Sequence, residues 1–96
     1  MEKLSISDLH IVLVEPSDTQ RKIITNLLLK ENVREIDAVS SIKEAREAIE
    51  SHSADLVVSA MYFEDGTAIE LLKFIKSHQR LSPTSVMIIK SHPQSH

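Results

Sequence analysis

ADLVVSAMYFEDGTAIELLKFIK, residues 54–76, contains a change of period. Leu56 to Ala60 is a short apolar run rich in β-branched residues, which reads as a strand. Glu64-Asp65-Gly66 carries turn chemistry. From Ala68 to His78 the apolar residues recur at helical spacing. Ile69, Leu72 and Ile75 share one face, with Ala68 and Leu71 alongside and Glu70 and Lys73 on the polar side. A strand that passes through a loop into an amphipathic helix is one βα unit. In open sheets made of such units, ligands sit beyond the carboxyl ends of the strands. This strand ends in Ala60, which offers only a methyl group.

Working outward, residues 9–14 (LHIVLV) form a nearly continuous apolar run, as expected of a strand buried on both faces. Glu15-Pro16 ends it. Ser17 or Asp18 can cap the helix that follows, with Ile23, Ile24, Leu27 and Leu28 facing inward and an end near Lys30 to Asn32. Val33 to Val39 is a more charged strand, expected at a sheet edge. Ser41-Ile42-Lys43-Glu44 is a capping box that opens a helix over roughly 42–51, with Ile42, Ala45, Ala48 and Ile49 inward. Leu81-Ser82-Pro83 breaks the third helix, and Val86 to Ile89 is the fourth strand. The order βαβαβαβ predicts a doubly wound parallel α/β sheet with right-handed crossovers. Residues 1–96 read as a single domain with its core in 9–91 and a polar tail at 92–96. The strand-end residues are Glu15, Ala60 and Lys90.

Composition narrows the functions available. The 96 residues carry a net charge of −3, and their 11 Lys and Arg form no run or stripe, so no nucleic-acid partner is expected. The absence of cysteine removes disulfides and thiolate chemistry, and fits a reducing, cytoplasmic setting. No apolar run is long enough to span a membrane, and no signal peptide is visible. A single glycine, Gly66, excludes both the dinucleotide fingerprint and the phosphate-cradling loop.

With these elements placed, the chain resembles a response-regulator receiver domain. The stretch "IVLVEPSDTQRKIITNLL" resembles the family's first strand, acidic pair and first helix. "ADLVVSAMYFEDGTAIELLKFIK" resembles its third strand, active-site loop and third helix, and "SVMIIKS" its fourth strand. The resemblance implies signal transduction in a two-component phosphorelay. There, a histidine kinase donates a phosphoryl group to an aspartate with the help of Mg²⁺. It also locates the departures. The acidic pair is Glu15-Pro16, the acceptor position is Ala60, the Thr or Ser position is Lys90, and Ala68 stands where a loop glycine is often found. One carboxylate is too few for a hard cation that prefers octahedral oxygen ligands. A non-enzymatic pseudo-receiver is therefore expected, with no cofactor, no Mg²⁺ and no metal. The alternatives are a receiver phosphorylated at Asp65 or Ser59 and an N-terminal regulatory fragment of a longer response regulator. Lys90 either pairs with Glu15 across the space above Ala60 or extends into water.

Other groups carry weaker signals. His78, His92 and His96 match no helical ligand spacing and are expected to be solvated. The charges at Lys43, Glu44, Arg46, Glu47 and Glu50 read as a solvated helix face. Of Tyr62 and Phe63, one is expected to pack and the other to be exposed. The family's fourth helix, fifth strand and fifth helix have no counterpart, so the fourth strand is expected to be an uncovered edge. Tyr62, Phe63, Val86 and Ile88 are the expected interaction surface. The expected partner is a second copy (a homodimer) or another signalling protein.

Overall fold

A computed structural model describes residues 6–89. After a 3₁₀ turn at Ile6–Asp8 come β1 (His10–Val14), α1 (Asp18–Lys30), β2 (Glu35–Val39), α2 (Ile42–His52) and β3 (Leu56–Ala60). The short strands β4 (Tyr62–Phe63) and β5 (Gly66–Thr67), then α3 (Ala68–Ser77) and β6 (Ser85–Ile89), complete the described chain. Four strands form one sheet in the order β2-β1-β3-β6, and every pairing is parallel. This is the doubly wound α/β sheet the alternation predicts, with β2 at one edge and β6, the fourth predicted strand, at the other. Strand order reverses between β1 and β3, which puts the ligand-binding crevice of such sheets at their carboxyl ends.

The core divides at the sheet. On one side Val12, Val14 and Val57 pack against Ile42, Ala45 and Ile49 of α2 and Leu71 and Ile75 of α3. On the other, Ile11, Leu13 and Val58 pack with Ile24 and Leu28 of α1. Strand residues alternate between the two clusters, as the pleat requires.

Three helix faces differ in detail from the sequence reading. In α1 the Ile24–Leu28 ridge meets the sheet, whereas Ile23 and Leu27 are 48% and 55% exposed. One residue is about 100° of helical turn, so the neighbouring ridge swings away from the sheet. In α3 the buried stripe is Ala68, Leu71 and Ile75, and Ile69 faces out. On α2, Arg46 is not merely solvated: its guanidinium lies 4.4 Å from the centre of the Phe74 ring.

Helix ends account for the shifted strand boundaries. Ser17 is the cap of α1, accepting from the Gln20 backbone N–H at 3.2 Å. That helix ends through Asn32 at φ 67°, and the Val33 N–H donates back to the Leu28 carbonyl. Val33 is thus a buried anchor for the helix end, and β2 begins only at Glu35. The capping box of α2 is half realised. Ser41 Oγ accepts from the Glu44 N–H, but the Glu44 carboxylate accepts from the Ser40 N–H and hydroxyl.

Of the expected interaction surface, Tyr62 is open to solvent and Phe63, Val86 and Ile88 are partly covered. Val86 packs against the α2–α3 core, and Ile88 lies on the same side of β6 by alternation. The register Val58↔Met87 puts Met87 on the α1 side, where it is 55% exposed. Phe63 packs against the α2–α3 core, while Tyr62 is 76% exposed.

Candidate functional site

Register defines the crevice. Val14 of β1 pairs with Ser59 of β3, so Glu15 stands level with Ala60. Glu15 is mostly buried, and its carboxylate is already engaged: Oε2 accepts the Ser17 N–H at 2.9 Å. Its carbonyl accepts from the Arg21 guanidinium at 2.8 Å, and Arg21 also pairs with Asp18. The sequence reading missed Arg21. Its signal was the spacing to Asp18, one helical turn away. Pro16 follows with no ionisable group and no N–H. Lys90 lies outside the described residues.

Both alternative acceptors already make hydrogen bonds. Ser59 is 0% exposed, and its hydroxyl donates to the Ala60 carbonyl at 2.7 Å. Asp65 sits in the turn between β4 and β5, where Tyr62 pairs with Thr67 and Phe63 with Gly66. Its two carboxylate oxygens accept the backbone N–H groups of Ile42 and Lys43, each at 3.0 Å. Asp65 therefore caps α2 from a loop distant in sequence, completing the first turn that the Ser41 hydroxyl caps only in part. Those two hydrogen bonds, Ile42 first and Lys43 second, hold its carboxyl below the usual carboxylate range.

Gly66 makes that turn possible. Its φ is +152°, and a Cβ there would lie 2.7 Å from Glu70 Oε1. A cleft of about 400 Å³ opens beside the hairpin, lined by Pro16, Ser40, Ser41, Glu64 and Asp65. Mg²⁺, the ion such a crevice implies, does not fit the donors at the strand ends. Glu15 supplies one carboxylate already bonded to a backbone N–H, while Pro16 and Ala60 supply no side-chain oxygen.

A cluster that the sequence reading overlooked lies at the opposite end of the sheet. His10 begins β1, Asp37 is in β2 and His52 ends α2. Asp37 Oδ2 is 2.8 Å from His10 Nε2 and 3.1 Å from His52 Nδ1. The histidines His78, His92 and His96 were expected to be solvated. His78 instead bonds through Nδ1 to the Phe74 carbonyl at 2.8 Å, and His92 and His96 lie outside the described residues.

A parallel sheet with this strand order, helices on both faces and a crevice between β1 and β3 defines a receiver-like α/β domain. The description of the response regulator receiver domain matches residues 11–96, and the chain belongs to that family. It is 30% identical over 87 residues to the two-component response regulator ORR8 of Oryza sativa, covering 90% of this chain and 71% of that one. Its fold is that of the N-terminal domain of a response regulator receiver protein from Methanoculleus marisnigri JR1. The TM-score is 0.81 at 20% identity, over 92% of this chain and 71% of that one. The MaeR response regulator bound to beryllium trifluoride is similar too, with a TM-score of 0.78 at 23% identity, over 90% and 70% of the two chains. Among the described residues, no helix is long and apolar enough to cross a membrane.

Proposed function

We propose that this chain is a receiver domain that works without phosphorylation, passing signals through protein contacts rather than through chemistry at the strand ends. The observation that carries this reading is Ala60 standing level with Glu15, where the family's acceptor aspartate is expected. A methyl group cannot attack a phosphoryl group, and with Pro16 and Ala60 beside it Glu15 is the one side-chain oxygen donor at the strand ends, which counts against Mg²⁺. The buried hydroxyl of Ser59 and the capping role of Asp65 count against rescue by a neighbour, because a reacting group tolerates little misplacement.

The contact surface we assign is the α1 side of the sheet. Ile23 and Leu27 on α1 and Met87 on β6 are exposed apolar groups on that side. A second copy of the chain is the simplest partner. Across a two-fold axis, the α1 ridge of one protomer covers the β6 flank of the other, and the reverse.

Beryllium trifluoride with Mg²⁺ tests the first part of this reading, because MaeR holds that phosphoryl analogue. The amide spectrum of the purified chain is expected to be the same with and without it. Saturable shifts at Glu15, Ala60 and Asp65 would overturn the reading.

A further inference from the structure

The polar cluster at the amino end of the sheet joins three elements. One ligand atom each from His10, Asp37 and His52 lies within 4.8 Å of those of the other two. His10 is largely buried, Asp37 is partly exposed and His52 is half exposed, so the cluster is anchored at one end and open to water at the other. The shallow cleft beside it is lined by these residues with Arg34, Glu35 and Ile36. The charged groups nearby are Arg34, Glu35 and Asp55, whose carboxylate accepts the His10 backbone N–H at 2.9 Å.

The hydrogen bond at the far side of the His10 ring is informative. His10 Nδ1 is 3.1 Å from the backbone carbonyl of His52. A carbonyl can only accept, so Nδ1 carries the hydrogen and donates it. In the neutral ring, that leaves the lone pair of Nε2 directed at Asp37 Oδ2, 2.8 Å away. Two acceptors at that separation require a cation between or beside them. A proton meets the need, and so does a metal ion. Metal-bound histidines usually donate their other ring N–H to a backbone carbonyl or carboxylate, which fixes the tautomer and aims the ligating nitrogen. His10 has this arrangement before any ion arrives.

We propose that His10, Asp37 and His52 form a binding site for a divalent transition metal of the Zn²⁺ class. His10 Nε2, a carboxylate oxygen of Asp37 and a ring nitrogen of His52 are the protein ligands. Two imidazoles and a carboxylate suit a borderline ion such as Zn²⁺ better than Mg²⁺ or Ca²⁺, which favour oxygen alone. Tetrahedral coordination at about 2.0–2.1 Å puts ligand atoms about 3.3 Å apart. The pairs now at 2.8 and 3.1 Å therefore need to open by a few tenths of an ångström, and the His10 and His52 ligand nitrogens, which lie within 4.8 Å of each other, close on the ion by a turn of the exposed His52 ring. Water takes the fourth position on the open side. The bound ion ties the start of β1 and the middle of β2 to the end of α2, remote from the strand-end crevice.

The test is titration of the purified chain with Co²⁺, followed by its visible absorption, and with Zn²⁺, followed by thermal unfolding. Saturation at one ion per chain and a melting temperature that rises with Zn²⁺ are expected. His52→Ala, at an exposed helix end, should fold normally and lower the affinity at least about tenfold, and Asp37→Asn should do the same. The double variant His92→Ala/His96→Ala should bind as the parent does. Failure of the parent to bind saturably overturns the proposal. Binding that survives both His52→Ala and Asp37→Asn, or that disappears in the His92→Ala/His96→Ala variant, overturns it as well.

Discussion

At the residue scale, the chain has a methyl group at one strand end and uses a loop carboxylate as a helix cap. Ala60 faces Glu15 with a methyl group, the Glu15 carboxylate accepts the Ser17 N–H instead, and Asp65 turns its oxygens to the N–H groups of α2. Asp65 is ionised more readily in the folded chain than in the unfolded one, where the ordinary value is 3.8. Its contribution to stability is therefore fully present above that value and is lost as pH falls through the lowered folded value. Asp65→Asn keeps one acceptor oxygen and loses the charge. The variant should melt below the parent near pH ~7, and the gap should narrow near pH ~3. A gap that stays constant or widens on acidification would contradict this role. Ala60 and Glu15 could be read from the sequence because strand ends follow from local periodicity. The role of Asp65 could not, because its partners lie 22 and 23 residues away on another element. His10, Asp37 and His52 were hidden for the same reason: they meet only when β2 is laid beside β1 and α2 is closed over both.

At the element scale, the period of each segment gave its type, and packing chose its buried ridge. Four apolar residues of α1 were expected to face inward, but the helix lies over the sheet on Ile24 and Leu28 alone. Periodicity confines a ridge to a sector, whereas the angle of the helix on the sheet decides which ridge is covered. In β6 the pleat separates Val86 from Met87, and only the register with β3 shows which side is bare. The small β4–β5 hairpin escaped notice because two-residue strands carry no period. Helix ends depend on single residues. α2 ends at Ser53 with φ 50°, a left-handed conformation that costs a residue bearing a Cβ. Ser53→Gly should raise unfolding stability by about 0.5–1 kcal/mol, the left-handed strain removed less the added freedom of the unfolded glycine. Denaturant unfolding would measure it. A loss of stability would mean that the serine side chain does more at this helix end than strain the backbone.

At the scale of the whole molecule, the four-stranded sheet brings Glu15 and Ala60 to one end, a His–Asp–His cluster to the other and an apolar flank to one side. If two protomers cover each other's flanks, their exposed residues control assembly while the interior is left alone. Leu27→Lys combined with Met87→Lys should weaken self-association at least about tenfold and change monomer stability by no more than about 0.5 kcal/mol. Light scattering over a range of concentrations checks both variant and parent, and a parent that stays monomeric throughout would rule out the paired copy. The central claim is that the strand-end position cannot take a phosphoryl group. Its most direct measurement is the intact mass of the chain after incubation with a small-molecule phosphoryl donor and Mg²⁺. An unchanged mass is the expected result. A mass increase of one phosphoryl group, lost again on treatment that cleaves acyl phosphates, would contradict the account and point back to Asp65 or another carboxylate as an acceptor.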